Sequence, residues 1–219
     1  MTFVQNRFHT LPNKICFWRK KVLNFKAISC IVQKYIVCSF FGGCCVAIER
    51  DTFIEILKDA YSAYYTITDA EEGAVPLSFR AVYSARDEQY FLSKSANIWS
   101  NEKNEYCYVF SAPGFDPALA EKCMDWAVRD MLPKVKPHKQ HQYTNAKVVL
   151  VADALDEATV RAVQKKRFSK SYGPLGLHGY TELIAAAVAL DRSKAFANPA
   201  GNDLPKFFGK LFALRQEKA

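Results

Sequence analysis

Asp and Glu are missing from the first 45 positions of this 219-residue chain, although Arg7, Lys14, Arg19, Lys20, Lys21, Lys26 and Lys34 lie among them. That absence localises the charge. Of the formal net charge of +8, +7 sits before Val46, and the rest of the chain, with 23 Lys and Arg against 22 Asp and Glu, is close to neutral. A basic overall balance therefore says little about the folded body. Cysteine is scarce where a fold would use it: positions 16, 30, 38, 44 and 45 hold five, and only Cys107 and Cys123 follow. Two isolated cysteines exclude a disulfide framework and fit a reducing cytoplasm. No Gly-x-Ser-x-Gly elbow, Walker loop, His-Glu-x-x-His or Cys-x-x-Cys occurs, so these routes to a nucleophile, a nucleotide or zinc are closed and no cofactor is expected.

The N-terminal segment lacks the features of a targeting signal. Charged residues interrupt each of its apolar runs, against a secretory signal. Its longest apolar stretch, Ala27 to Cys45, carries Gln33 and Lys34 near its middle, which a membrane span tolerates poorly. An organelle transit peptide would be Ser-rich, and five cysteines are foreign to it. Methionine is absent between Met1 and Met124. The run FGGCCVAIERD offers another origin: Gly42-Gly43 can be encoded with GGAGG, a bacterial ribosome-binding sequence, and Val46 with the start codon GTG. The expectation is therefore that 1–45 are a mis-annotated extension and that translation begins at Val46. The intact mass of the protein made from its native gene tests this, with a mass that includes residues 1–45 as the contrary result. A start at Val46 implies no membrane attachment through that segment.

The body, 46–219, is of single-domain length, with half of the whole chain's residues apolar. Thr52 and Glu55 read as a capping box for a first helix with Phe53, Ile56, Leu57, Ala60, Tyr61 and Tyr64 at helical spacing. Three strand-like segments follow, Leu77 to Ser84, Gln89 to Trp99 and Glu105 to Ser111, with polar turns at Ala85 to Glu88 and Ser100 to Asn104. Asp116 and Pro117 open a second helix as N-cap and first helical residue. KVVLVA, from Lys147 to Ala152, reads as a central strand buried on both faces, and Asp156 caps a third helix. Tyr180 to Leu190 admits two readings, a helix from its alanines or a strand entering a hairpin from its short apolar run and the polar turn at Asp191 to Lys194, of which the strand is taken; Asp203 precedes a last helix that carries Phe207, Phe208, Leu211 and Phe212 on one side. The predicted order is αβββαβαβ(β)α, an α+β single domain with a mixed sheet covered by helices.

Charge divides this body unevenly. Val46 to Pro133 holds 8 basic and 15 acidic residues, whereas from Lys134 onward there are 15 basic and 7 acidic. The densest polar stretch is KVKPHKQHQYTNAK, with Lys134, Lys136, His138, Lys139 and His141. Two histidines three apart suggest a metal, but no neighbouring carboxylate or cysteine completes a ligand set, and a solvated loop explains the composition better. In QKKRFSKSYGPLGLHGY, Lys165, Lys166, Arg167 and Lys170, interleaved with Phe168 and Tyr172, have the composition of a nucleic-acid contact. A basic helix end is the plainer account, because cations favour the negative end of the helix dipole. The glycines at 173, 176 and 179 follow a helix and enter a strand, the reverse of a phosphate-cradling loop. Cys107 and Cys123 alternate with, or lie among, apolar residues and read as core.

The αβββαβ order over Asp51 to Ala152 resembles the core of restriction-endonuclease-like nucleases. That resemblance implies an Asp on one strand and a Glu-x-Lys on the next to hold a divalent metal. Here the strands read QYFLSKSANIW and EYCYVF, and Glu105 is followed two residues on by Cys107. The strings NEYCYV, KPHKQHQYT, KKRFSKSYG and LGLHGYTEL resemble an uncharacterised bacterial family, a domain of unknown function, over about 46–202. It implies no activity. From the residues themselves, the expectation is a small cytoplasmic protein that binds nucleic acid or an acidic partner through the basic stretches. The alternative is a metal-dependent hydrolase using His138, His141 and carboxylates gathered by the fold, or a divergent restriction-endonuclease-like nuclease, active or inactive.

Overall fold

A computed structural model describes residues 48–70, 73–90 and 97–216 of the chain. The predicted N-terminal extension lies outside the described residues. The elements are α1 (Arg50–Ser62), β1 (Thr66–Asp69), β2 (Leu77–Tyr90), β3 (Asn97–Ala112), α2 (Pro117–Met131), β4 (His141–Ala152), α3 (Glu157–Lys165), β5 (Ser169–Ser171), β6 (Tyr180–Ala189), β7 (Lys194–Ala197) and α4 (Leu204–Gln216), with short 3-10 turns between some of them. The α+β order expected from the sequence is therefore present.

The seven strands form one mixed sheet in the order β1-β2-β3-β4-β6-β5, with β7 also on β6. β3, β4 and β6 run parallel, and the other pairings are antiparallel. Alternation along β4 explains how the sheet is clad. Val148 and Leu150 point to α2 and α3, meeting Met124, Val160 and Val163, while Val149 and Val151 point to α1 and α4, meeting Phe53, Leu57, Phe208 and Phe212. Both faces of the centre are thus dry. Phe53 stacks on Phe212 at 5.6 Å between ring centroids, so the apolar side of the last helix is occupied by its own domain.

Local chemistry sets most of the boundaries. Asp116 Oδ1 accepts the Leu119 N–H at 2.6 Å and Asp156 Oδ1 accepts the Thr159 N–H at 2.7 Å, so both expected caps are made. The expected capping box at Thr52 is not: α1 begins earlier, with Glu49 at its N-cap, and Thr52 lies inside the helix. Three strand limits also differ. Ala85 to Glu88 and Ser100 to Asn104, expected as turns, are paired within a long β2-β3 hairpin, and β4 begins at His141 rather than Lys147. All three were misread for the same reason, polar sequence: Ala85 to Glu88 and Ser100 to Asn104 hold Arg86, Asp87, Glu88, Glu102 and Lys103, and 141–146 holds His141, Gln142, Thr144 and Asn145, so the apolar signature of a strand is lost even where, as at His141, Thr144 and Asn145, the strand is buried.

One side chain mends the outer edge of β6. β5 pairs with residues 180–182 and β7 with 186–189, leaving a gap between them. Asn198 fills it. Its Oδ1 accepts from the Ala185 and Gly201 N–H groups, and its Nδ2 donates to the Leu183 and Lys166 carbonyls. Buried backbone polar groups there would otherwise lack partners.

Candidate functional site

Each parallel crossover, β3 to β4 and β4 to β6, must return the chain to the end of the sheet at which its next strand begins. α2 and α3 make these returns, so the residues that follow each helix arrive at the same end. Lys134, Lys136, His138 and Lys139 follow α2, and Lys166, Arg167 and Lys170 follow Lys165 at the end of α3. Two basic stretches, separate in sequence, are thereby brought together. His141 Nδ1 lies 2.8 Å from the His178 carbonyl, and the His141 and Tyr172 rings are 6.3 Å apart. Lys170 Nζ sits 5.2 Å from the centroid of the Tyr172 ring.

The candidate residues then divide by what they touch. Lys134 pairs with Asp130 at 2.5 Å and Lys166 with Asp125 at 2.7 Å. Arg167 donates to the carbonyls of Gln164 and Lys165, satisfying the C-terminus of α3 as a basic helix end should. Lys136, Lys139, Lys165 and Lys170 are exposed and make no ion pair with the described residues. Together with Arg167, whose carbonyl bonds leave its charge uncompensated, those four are the positive charges of the two stretches without a carboxylate partner among the described residues.

The histidines are committed elsewhere. The Gln140 N–H donates to His138 Nδ1, which places the ring proton on Nε2, 3.1 Å from Glu102 Oε2. The Asn104 amide, together with His138, holds the Glu102 carboxyl below the usual carboxylate range. His141 is buried, with Nδ1 at the His178 carbonyl and Nε2 at 2.9 Å from Thr144 Oγ1. All four ring nitrogens have partners, and among the described residues no three His, Cys, Asp or Glu side chains gather as a metal set.

On the α1 and α4 face of the same end lies a cluster that the sequence reading missed. Lys147 Nζ donates to Glu105 Oε2 at 2.5 Å, Tyr65 Oη donates to the same oxygen at 2.5 Å, and Tyr143 Oη reaches Glu105 Oε1 at 3.4 Å. Cys107 is the strand neighbour of Lys147, and burial pushes its thiol up to about 12, so it is a neutral core group at physiological pH. Burial, with the Glu105 charge acting in the same direction, also raises the Tyr65 and Tyr143 hydroxyls, keeping them as donors. In the nuclease comparison, the β2 positions paired with Glu105 and Cys107 are Tyr83 and Ala81, and the lysine comes from β4. The Asp and Glu-x-Lys set is therefore not assembled on β2 and β3. Asp87 and Glu88 belong to β2, not to a turn.

Beside this cluster a depression of about 310 Å³ is lined by Tyr143, Asn145, Tyr180, Glu182, Asn202 and Asp203 among others. Asn145 is 5% exposed, and its Oδ1 is buried without a hydrogen-bond partner. A lone ionisable or amide residue inside an otherwise buried strand was the available signal for both features. Its partner could not be read, because Glu105 and Lys147 are 42 residues apart.

The family comparison agrees with the expected resemblance. Residues 49–210 match the family model of the domain of unknown function DUF8052, and the chain belongs to that family. No curated protein and no solved structure matches it. No described helix is long and apolar enough to cross a membrane.

Proposed function

We propose that this member of the DUF8052 family is a cytoplasmic binding protein that holds nucleic acid, or an acidic protein partner, on the end of the sheet where β4 and β6 begin. The observation that carries this reading is the convergence of the two basic stretches through His141, Tyr172 and the His178 carbonyl. Lys136, Lys139, Lys165 and Lys170 supply exposed cations for phosphates or carboxylates, and Tyr172 supplies an aromatic face. The alternative, metal-dependent hydrolysis through His138 and His141, has less support because both rings spend both nitrogens on hydrogen bonds within the fold.

A salt titration tests the reading. Binding to single-stranded and duplex oligonucleotides is expected to weaken linearly in log affinity against log salt, with a slope of about −0.7 to −0.9 per phosphate contact. The Lys136→Glu, Lys139→Glu, Lys170→Glu triple variant should weaken binding at low salt by tenfold or more. Absence of oligonucleotide binding at low salt removes the nucleic-acid reading. Equal affinity in the triple variant removes the surface.

A further inference from the structure

We propose that the tip of the β5-β6 hairpin is a membrane-surface contact, which lowers Leu175 and Leu177 into a bilayer that carries anionic lipids. β5 and β6 pair antiparallel, Ser169 opposite Glu182 and Ser171 opposite Tyr180, and residues 172–179 close the hairpin. The tip is tightly bonded to itself. The Tyr172 N–H donates to the Gly179 carbonyl at 2.9 Å, the His178 N–H to the Tyr172 carbonyl at 3.0 Å and the Leu177 N–H to the Pro174 carbonyl at 3.0 Å. Held on that frame, Leu175 is 100% exposed and Leu177 70%, next to an exposed Pro174. Leu175 also has φ +51°, a left-handed conformation that glycine or asparagine adopts more readily than leucine. Neither backbone preference nor packing within the domain accounts for a leucine there, whereas burial in a partner does.

Charge identifies the partner. Residues 131–152 and 158–181 contain no Asp or Glu, and their exposed Lys136, Lys139, Lys165, Arg167 and Lys170 have no carboxylate partner among the described residues. Lys170 lies on the hairpin itself, opposite Thr181, and the stretch with Lys136 and Lys139 is tied to the tip where His141 Nδ1 meets the His178 carbonyl. Cations set behind an apolar tip complement anionic headgroups set above acyl chains, the lysines drawn to the first and the leucines to the second. Tyr172 and Tyr180 stand at the neck of the tip, and tyrosine suits the headgroup level because its ring is amphipathic. A protein partner would need a concave pocket cut to this convex tip, and a bilayer needs none. Nucleic acid engages the lysines but gives the leucines an apolar seat only by unstacking its bases. No described helix can span a membrane, so the contact is interfacial. It goes beyond the oligonucleotide reading and does not rest on it.

The test is sedimentation of the full chain with vesicles of equal parts phosphatidylglycerol and phosphatidylcholine, and with vesicles of phosphatidylcholine alone, beside the oligonucleotide titration. Saturable binding to the anionic vesicles is expected, weakening as salt rises, with none to phosphatidylcholine. The Leu175→Asn, Leu177→Asn double variant should bind the anionic vesicles tenfold or more less tightly, since burial of a single leucine is worth about that factor, while its Tm and its oligonucleotide binding stay unchanged. These substitutions leave residues 1–45 untouched, so the loss belongs to the tip. Leu177→Trp should add an emission component that moves to the blue on anionic vesicles and is quenched by brominated acyl chains, which reports insertion directly. Absence of binding to the anionic vesicles overturns the proposal, as does equal binding to phosphatidylcholine alone or undiminished binding by the double variant. A double variant that loses only its oligonucleotide binding makes the leucines a nucleic-acid contact and overturns it too. Vesicle binding that depends on the leucines, in a protein that binds no oligonucleotide, removes the nucleic-acid reading and upholds this one.

Discussion

Lys147→Met is expected to lower the stability of the fold by about 3–5 kcal/mol, the cost of leaving a buried charge without its partner. Lys147 and Glu105 are 15% and 10% exposed in their side chains, and the carboxylate loses its ammonium while keeping only tyrosine hydroxyls as donors. Methionine preserves the aliphatic stem, so the loss reports the charge rather than a cavity. Adding Glu105→Gln should recover most of it, because the pair then disappears instead of being broken. Chemical denaturation of the two variants decides the matter. A single-variant loss under about 1 kcal/mol would place the pair with ordinary surface ion pairs.

The same pair sets a pH dependence whose sign can be worked out. Burial pulls the Lys147 ammonium down, but Cys107 and Glu105 outweigh it and leave the group above its ordinary value of 10.5. A basic group raised in the folded state contributes its full stabilisation below pH 10.5 and loses it as the pH climbs through the folded value. The Tm of the natural protein should therefore fall above that pH, and Lys147→Met should lack this component.

Legibility in the sequence followed burial. The stretch Lys147 to Ala152, dry on both faces, announced itself as a central strand, and Asp116 and Asp156 announced their helices, because one local rule governs each. The choice of strand for Tyr180 to Leu190 also agrees with the fold, whose β6 takes alanines where helices approach from both sides. Where strands leave the helical layers, as at Arg86 and Glu102, period-two apolarity vanishes and polar composition reads as a turn. The basic stretches were legible as composition and their convergence was not, since it depends on two helical crossovers. Asn198 was silent for a related reason: its four partners are set by the interruption between β5 and β7.

That convergence rests on one glycine. Gly179 has φ +83°, and a Cβ there would lie 2.6 Å from the His141 carbonyl oxygen and 2.8 Å from that of Gln142. The nearest obstacle, His141 Nδ1 at 2.5 Å, is a side-chain atom, but these two are backbone of β4, so no side-chain rotation relieves the overlap. Gly179→Ala is expected to cost about 2–5 kcal/mol, combining a left-handed conformation for a residue with a Cβ and the steric overlap. It should also weaken oligonucleotide binding, because relief of the overlap pushes the loop with Lys170 and Tyr172 away from His141 and the lysines before it. Gly176→Ala is the control. Gly176 has φ +76°, but its nearest neighbour is Ser171 Cβ at 3.5 Å, so its substitution carries the conformational cost without the collision. Thermal and chemical unfolding of the two variants should therefore separate, with Gly179→Ala the less stable and the only one to lose binding. Equal losses would mean that backbone conformation alone accounts for Gly179, and that close approach to β4 is not what holds the basic loop in place.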